Sequence, residues 1–239
     1  MRGIQKRLAV LLKRLRWFVF VLLLVGLCVS IGVVFLMRWF DPPLSAVMLQ
    51  RLAAEGGPQQ QQWADIDQIS PHMVLAVVAA EDQRFPVHSG FDTEEIIAAI
   101  ERSLDGGRLR GASTISQQVA RNLYLWQGRS FIRKGLEVWF TGLIEMIWSK
   151  RRILEMYLNF AETGERTFGV AAASQLYFGV SPDRMSRRQA ALIAAVLPNP
   201  VVYKVDAPSG HVLKRRDWIL QQMRNLGGPV YLKEILGTP

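Results

Sequence analysis

Residues 17 to 37, WFVFVLLLVGLCVSIGVVFLM, contain no charged side chain. At about 1.5 Å of rise per residue, a helix of this run reaches about 31 Å, the thickness of a bilayer's hydrocarbon core. It is therefore expected to be a transmembrane helix. A cleaved signal peptide would have an apolar core of only about 7 to 15 residues, leading to a small-residue cleavage site. Here RWFDPPL follows, which favours an uncleaved anchor. Ahead of the run, residues 1 to 16 form a basic leader with Arg2, Lys6, Arg7, Lys13, Arg14 and Arg16 and no acid. By the positive-inside rule this leader stays cytoplasmic, and everything after the anchor lies outside.

That topology changes the meaning of the formal net charge of +9. Most of it belongs to the leader, so a nucleic-acid partner loses its main support and none is expected. The single cysteine, Cys28, lies within the span, so no disulfide framework can form. His72, His88 and His211 are scattered without ligand spacing, and no metal site is expected from them.

Residues 38 to 65 mix Pro, Gly and Gln and read as a linker with one short amphipathic turn. The domain proper is expected over 66–239, and its strong signals are helical. Ser70 with Pro71 opens a helix expected to reach Phe85, where Pro86 stops it. Asp92 and Glu95 form a capping-box-like start for TEEIIAAIERSL, with Ile96, Ile100 and Leu104 on one face before DGG ends it. Ser113 or Thr114 caps ISQQVARNLYL, and Ser130 caps an amphipathic stretch through Trp148, followed by KRRILEMYLNF. Three more helical segments follow, GVAAASQLYFG, SRRQAALIAAVL and HVLKRRDWILQQMRNLGG. With no alternating strand and no repeat, the fold class is all-α, or mainly α.

Three polar clusters sit on these helices. Glu81, Asp82, Arg84 and His88 close an apolar helix. A carboxylate there faces the negative end of the helix dipole in an apolar surround, and both effects raise its pKa toward that of a general base. The alternative is a surface ion pair between Glu81 and Arg84. In GASTISQQVARN, helical spacing puts Gln117 and Arg121 on one face, with Ser113 and Thr114 at the positive helix start, a pattern suited to a polyoxygenated anion such as a sugar diphosphate. Ordinary N-capping explains it as well. In GRSFIRKGLE, Glu137 lies four residues from Arg133 and three from Lys134, with Arg129 just ahead. A solvated helix face is the alternative there.

Taken together, these clusters resemble the motifs of the bacterial peptidoglycan glycosyltransferases, which polymerise lipid II. EDQRFPVHSGFD matches the first motif, GASTISQQVARN the second, RKGLE the third, RRILEMYLN the fourth and RRQAALIAAVLPNP the fifth, in the family's order. The resemblance covers about Ile66 to Pro200. Neither S-x-x-K nor K-[ST]-G occurs, so the chain is similar to the monofunctional biosynthetic type, without transpeptidase activity.

The resemblance implies a lysozyme-like α domain with a small jaw lobe against the membrane, placed outside a bacterial inner membrane. It implies that Glu81 deprotonates the acceptor 4-hydroxyl and that a polyprenyl diphosphate leaves with anomeric inversion. Arg121, Arg129, Arg133 and Lys134 would stabilise the diphosphate, with Glu137 organising those cations. Ser113, Thr114, Gln117, Gln118 and Asn122 would bind sugar and phosphate oxygens, Asp82 and His88 would join the substrate-binding set, and Tyr157 and Asn159 would serve as scaffold. The expected partners are lipid II, the growing glycan, membrane lipid and other cell-wall synthesis proteins. No cofactor is required by the sequence, and a divalent metal at the diphosphate is the one candidate.

Two departures from the family pattern stand out. Arg121 occupies a position that is often lysine, which replaces a point donor by a fork. ERTFG matches poorly the family's glycine-rich stretch, leaving the shape of the loop from Glu162 to Gly169 open. Trp126, Phe131, Trp139 and Phe140 flank the cations and are read as candidates to dip into the membrane interface, with core packing as the alternative for Trp139 and Phe140. The rival functions are a membrane-anchored lytic enzyme, which would have no diphosphate to stabilise, and a non-catalytic envelope anchor.

Overall fold

The computed structural model describes residues 2–104, 113–128 and 130–236. The expected DGG helix end and the start of the second motif at Gly111 and Ala112 lie outside the described residues, as do Arg129 and the side chains of Ile100 and Leu104. The chain divides into two compact units, residues 1–42 and 43–239.

The first unit is helix α1, Arg2–Leu36. Its segment Val10–Leu36 is 27 residues long and apolar enough to cross a membrane. At about 1.5 Å per residue that is about 40 Å, more than a hydrocarbon core needs. This is consistent with a single-pass anchor, and the helix closes one residue before the expected Met37.

The second unit is mainly helical. It contains α2 (Ala46–Glu55), β1 (Gln60–Gln61), α3 (Pro71–Glu81), α4 (Thr93–Leu104), α5 (Ile115–Tyr124), α6 (Phe131–Ile147) and α7 (Lys150–Phe160). It continues through β2 (Glu162–Gly164), β3 (Thr167–Phe168), α8 (Val170–Phe178), α9 (Arg187–Val196), α10 (Gly210–Asn225) and the short α11 (Lys233–Leu236). Much of the stretch read as a linker therefore belongs to the folded unit. Ser45 caps α2 through the Met48 amide, α2 packs on α5, and β1 pairs in parallel with β3. Seven of the ten Pro, Gly and Gln residues that suggested a linker fall in 56–62, the turn after α2 together with β1 and the residue that follows it.

At the centre lies α3, in which Met73 through Ala79 are all buried. A helix that is apolar all round must be covered all round, and α9 and α10 lie against it. The alanines of α9, Ala190, Ala191, Ala194 and Ala195, are fully buried and let the backbones approach closely. At the front end, Ser70 caps α3 through the His72 amide and Pro71 takes the first turn, as the sequence leads one to expect. The other end comes earlier than Phe85. Asp82 leaves the helix at φ −164°, ψ 79°, because its carboxylate accepts bonds from the Ile115 amide and from His88. Those partners pull the chain out of the helix before Pro86 can stop it.

A three-stranded sheet, ordered β1-β3-β2, was not legible in the sequence, because strands of two or three residues are too short to show alternation. It gives the 162–169 loop its shape, a β2–β3 hairpin with Arg166 at φ 58°. Gly169 follows at φ 80°, where a Cβ would come within 2.8 Å of the Asn159 carbonyl oxygen.

Asn159 is fully buried, and its amide accepts from the Ala64 N–H and donates to the Ala64 and Glu155 carbonyls, each at 2.9 Å. It ties the segment entering α3 to α7, the scaffold part expected of it. Asn159→Ala would leave two buried backbone groups of Ala64 unpaired. The expected loss is about 3 kcal/mol, read by urea denaturation of the detergent-solubilised chain.

Candidate active site

Glu81 is the last residue of α3. Its side chain is 13 % exposed, and its two oxygens take separate donors. Gln118 Nε2 donates to Oε2 at 3.1 Å, and Arg215 Nη2 donates to Oε1 at 3.2 Å. Burial pushes the Glu81 carboxyl above its ordinary value, outweighing the Gln118 bond and the charges of Arg215 and Arg121, which act in the other direction. The ion pair considered with Arg84 is not formed. Arg84 instead pairs with Glu94 of α4 and lies 3.8 Å from Asp92.

Gln118 joins this carboxylate to a cleft of about 510 Å³. The cleft presents Arg121 and Asn122 from α5, Arg133 from α6, Tyr157 and Phe160 from α7, Glu162 from β2, and an apolar end of Leu197, Pro198 and Pro200. Tyr157 is buried, and its hydroxyl donates to Gln118 Oε1 at 3.4 Å. Its pKa stands well above the ordinary tyrosine value, chiefly through burial and then through the Glu81 charge.

The third motif is organised around Glu137, whose side chain is only 3 % exposed. Arg133 Nη1 donates to one of its oxygens at 2.7 Å and Lys134 Nζ to the other at 2.5 Å. The i, i+4 and i, i+3 spacing therefore makes a real contact rather than a solvated face. Glu137 holds Arg133 at the cleft wall, while Lys134 stays half exposed and outside the lining.

Other expected site residues are turned elsewhere. Asp82 and His88 are buried against each other, with His88 Nε2 2.9 Å from Asp82 Oδ1. The Gly90 N–H donates to His88 Nδ1, so the ring proton sits on Nε2 and points at Asp82. The Asp82 carboxylate also accepts the Ile115 amide at 2.9 Å. The two residues hold the first motif to the start of α5 and do not line the cleft.

Thr114 and Gln117 likewise cap α5 reciprocally, each side-chain oxygen accepting the other's backbone N–H, and Thr114 Oγ1 donates to the Gly90 carbonyl at 2.7 Å. The expectation that Gln117 shares a ligand face with Arg121 is thus corrected. The capping box takes Gln117, and Gln118 takes the cleft. Ser113 is exposed and is not among the lining residues.

Sequence reasoning did not single out Arg215 or Glu162. Arg215 stands 134 residues from Glu81 and is brought to it only by the packing of α10 on α3. Nothing local separates it from Arg216, which pairs with its neighbour Asp217.

Among known proteins, residues 47–224 match the family model described as Transglycosylase. The chain is 50 % identical over 211 residues to a biosynthetic peptidoglycan transglycosylase of Pseudomonas entomophila (strain L48), covering 86 % of this chain and 89 % of that protein. It is 51 % identical over 211 residues to the protein of the same name from Pseudomonas fluorescens (strain SBW25), covering 86 % and 88 %. To that from Pseudomonas syringae pv. syringae (strain B728a) it is 47 % identical over 235 residues, covering 96 % of each. The matched segment runs from α2 into α10 and so holds Glu81, its two donors and the whole cationic cleft: the chain belongs to the transglycosylase family and is a glycosyltransferase.

Proposed function

We propose that the chain is a peptidoglycan glycosyltransferase that polymerises lipid II into β-1,4-linked glycan strands, contributing to cell-wall biogenesis. The observation that carries this reading is the link between a buried carboxylate and a cationic cleft. Glu81, with its pKa raised by burial, is bonded through Gln118 to a cleft wall that presents Arg121 and Arg133. A lytic enzyme would also use a carboxyl group, but it would leave those guanidinium groups without a developing anion to stabilise.

In this reading Glu81 takes the proton of the acceptor 4-hydroxyl. Each carboxylate oxygen already accepts one bond and keeps a further lone pair for that proton. The freed oxygen pair forms the new bond to the donor's anomeric carbon. The bond from that carbon to the diphosphate breaks, inverting the centre, and the leaving oxygen carries the electron pair away as a polyprenyl diphosphate. Arg121 and Arg133 stand where that charge develops, and preorganised cations in a partly desolvated cleft stabilise it best. Arg129 is assigned to the same cationic group by its sequence position alone.

Charge neutralisation is assigned to these side chains. Both Glu137 oxygens are engaged by cations. No step is given to a divalent ion. Transpeptidation is outside the proposal, since the sequence carries neither of its motifs.

The lipid tail of such a substrate stays in the bilayer, and α6 offers a surface for that encounter. Phe131, Ile132, Leu136, Trp139 and Met146 are exposed and fall on one side of the helix. Trp126, just ahead of α6, is exposed as well, whereas Phe140 stacks on Tyr124 at 4.5 Å. We place this face in the membrane interface, with α1 as anchor, the basic leader cytoplasmic and the domain outside a bacterial inner membrane.

The test is incubation of the full-length, detergent-solubilised chain with lipid II, with and without EDTA. Long glycan strands in both samples are expected. No polymer, with shortening of preformed glycan, would establish a lytic enzyme instead.

A further inference from the structure

The cleft wall holds one carboxylate among the described residues, Glu162, and the mechanism above leaves it unused. It is 14 % exposed on its side chain and enters from β2, whereas the cations enter from α5 and α6. A run of alternating charges holds it. Arg51 Nη2 donates to Glu162 Oε2 at 3.2 Å, and Arg51 Nη1 donates to Glu55 Oε1 at 2.7 Å. Arg166 Nε lies 3.8 Å from Glu55 Oε2. Arg166 stands in the left-handed region, at φ 58°, the one non-glycine residue there among those described. Such a backbone costs free energy and persists where the surroundings over-determine it.

We propose that Glu162 is a substrate-binding residue that accepts hydrogen bonds from hydroxyl or amide N–H groups of a sugar unit in the cleft, opposing in charge the part of the cleft that takes the diphosphate. The inference rests on the glycosyltransferase reading and deepens it. A carboxylate repels the diphosphate and is acceptor-only when ionised, so the partner that fits it is a neutral sugar rich in O–H and N–H donors. Arg51 occupies one of its roughly four acceptor directions, leaving capacity toward the cleft. Burial raises the carboxyl's pKa, and the Arg51 charge works against that rise. The cleft then has a sense of direction, with cations for the leaving diphosphate and an anion for the sugar. A purely structural role, stapling α2 to the β2–β3 hairpin, is the competing account.

Steady-state kinetics on lipid II with the full-length, detergent-solubilised chain separates the two. Glu162→Gln keeps the reach and loses the charge, while Glu162→Asp keeps the charge for Arg51 but withdraws it by one methylene. In both variants KM is expected to rise about tenfold, as for loss of a hydrogen bond to a charged group, with kcat within about threefold, the pattern of lost ground-state binding. Unchanged KM in both variants would overturn the proposal, most directly if the thermal midpoint fell in Glu162→Gln, which is what a staple predicts. Failure of the wild-type chain to make polymer would instead sink the reading beneath it, and normal polymerisation by both variants would sink this inference alone.

Discussion

Glu81→Gln should lower the rate of lipid II polymerisation by about 10² to 10⁴-fold, the usual contribution of a positioned general base, without unfolding the protein. Glutamine keeps the shape and its amide oxygen can accept from Arg215, while Gln118 must turn its own amide to meet the new NH2, but glutamine cannot take the acceptor's proton. Wild-type activity should rise with pH as the carboxyl ionises, with a midpoint displaced upward from the ordinary 4.5. The variant's residual rate should lack that step. The stability consequence has the opposite sign. Because burial raises the folded-state pKa, the folded protein binds more protons than the unfolded chain between 4.5 and the raised value, so this group's contribution to stability falls as pH increases through that window. At neutral pH the variant should therefore melt no lower than wild type. A lower midpoint together with lost activity would mean that Glu81 is a structural partner of Arg215 and not a base.

Arg133→Met is expected to reduce kcat by about 10² to 10³-fold, the scale seen when one preorganised electrostatic group is removed. Arg133 lines the cleft and is 13 % exposed, and its guanidinium is aimed by the buried Glu137. Arg133→Lys restores the charge without the planar fork and should recover only part of the rate. Equal activity in Arg133→Met and wild type, measured as strand formation at saturating lipid II, would remove this residue from the mechanism. Full recovery by lysine would show that net charge matters there and geometry does not.

Much of the site was legible because its signals are local. Ser70 and Pro71 mark the start of α3, and Thr114 and Gln117 mark the start of α5. The spacing of Arg133, Lys134 and Glu137 puts three charges on one helical turn. Local signals could not divide the polar residues of α5 between capping and cleft. Gln117 and Gln118 are equal as residue types, and only the direction of each side chain on the folded helix separates them. The same limit holds for Asp82, whose carboxylate accepts the Ile115 amide, 33 residues on.

The sequence by itself determined the N-terminal apolar helix, through an uncharged run long enough to cross a bilayer, and the helical class, through caps and apolar periodicity. It also placed Glu81 in the closing part of the most apolar helix of the domain. Tertiary structure alone decided what surrounds that carboxylate. Arg215 arrives from α10 and Gln118 from α5, because α3 is apolar on every side and must be enclosed by elements distant in the chain. Burial and long-range charge set the acidity of Glu81, and both are properties of packing that no local stretch of residues encodes.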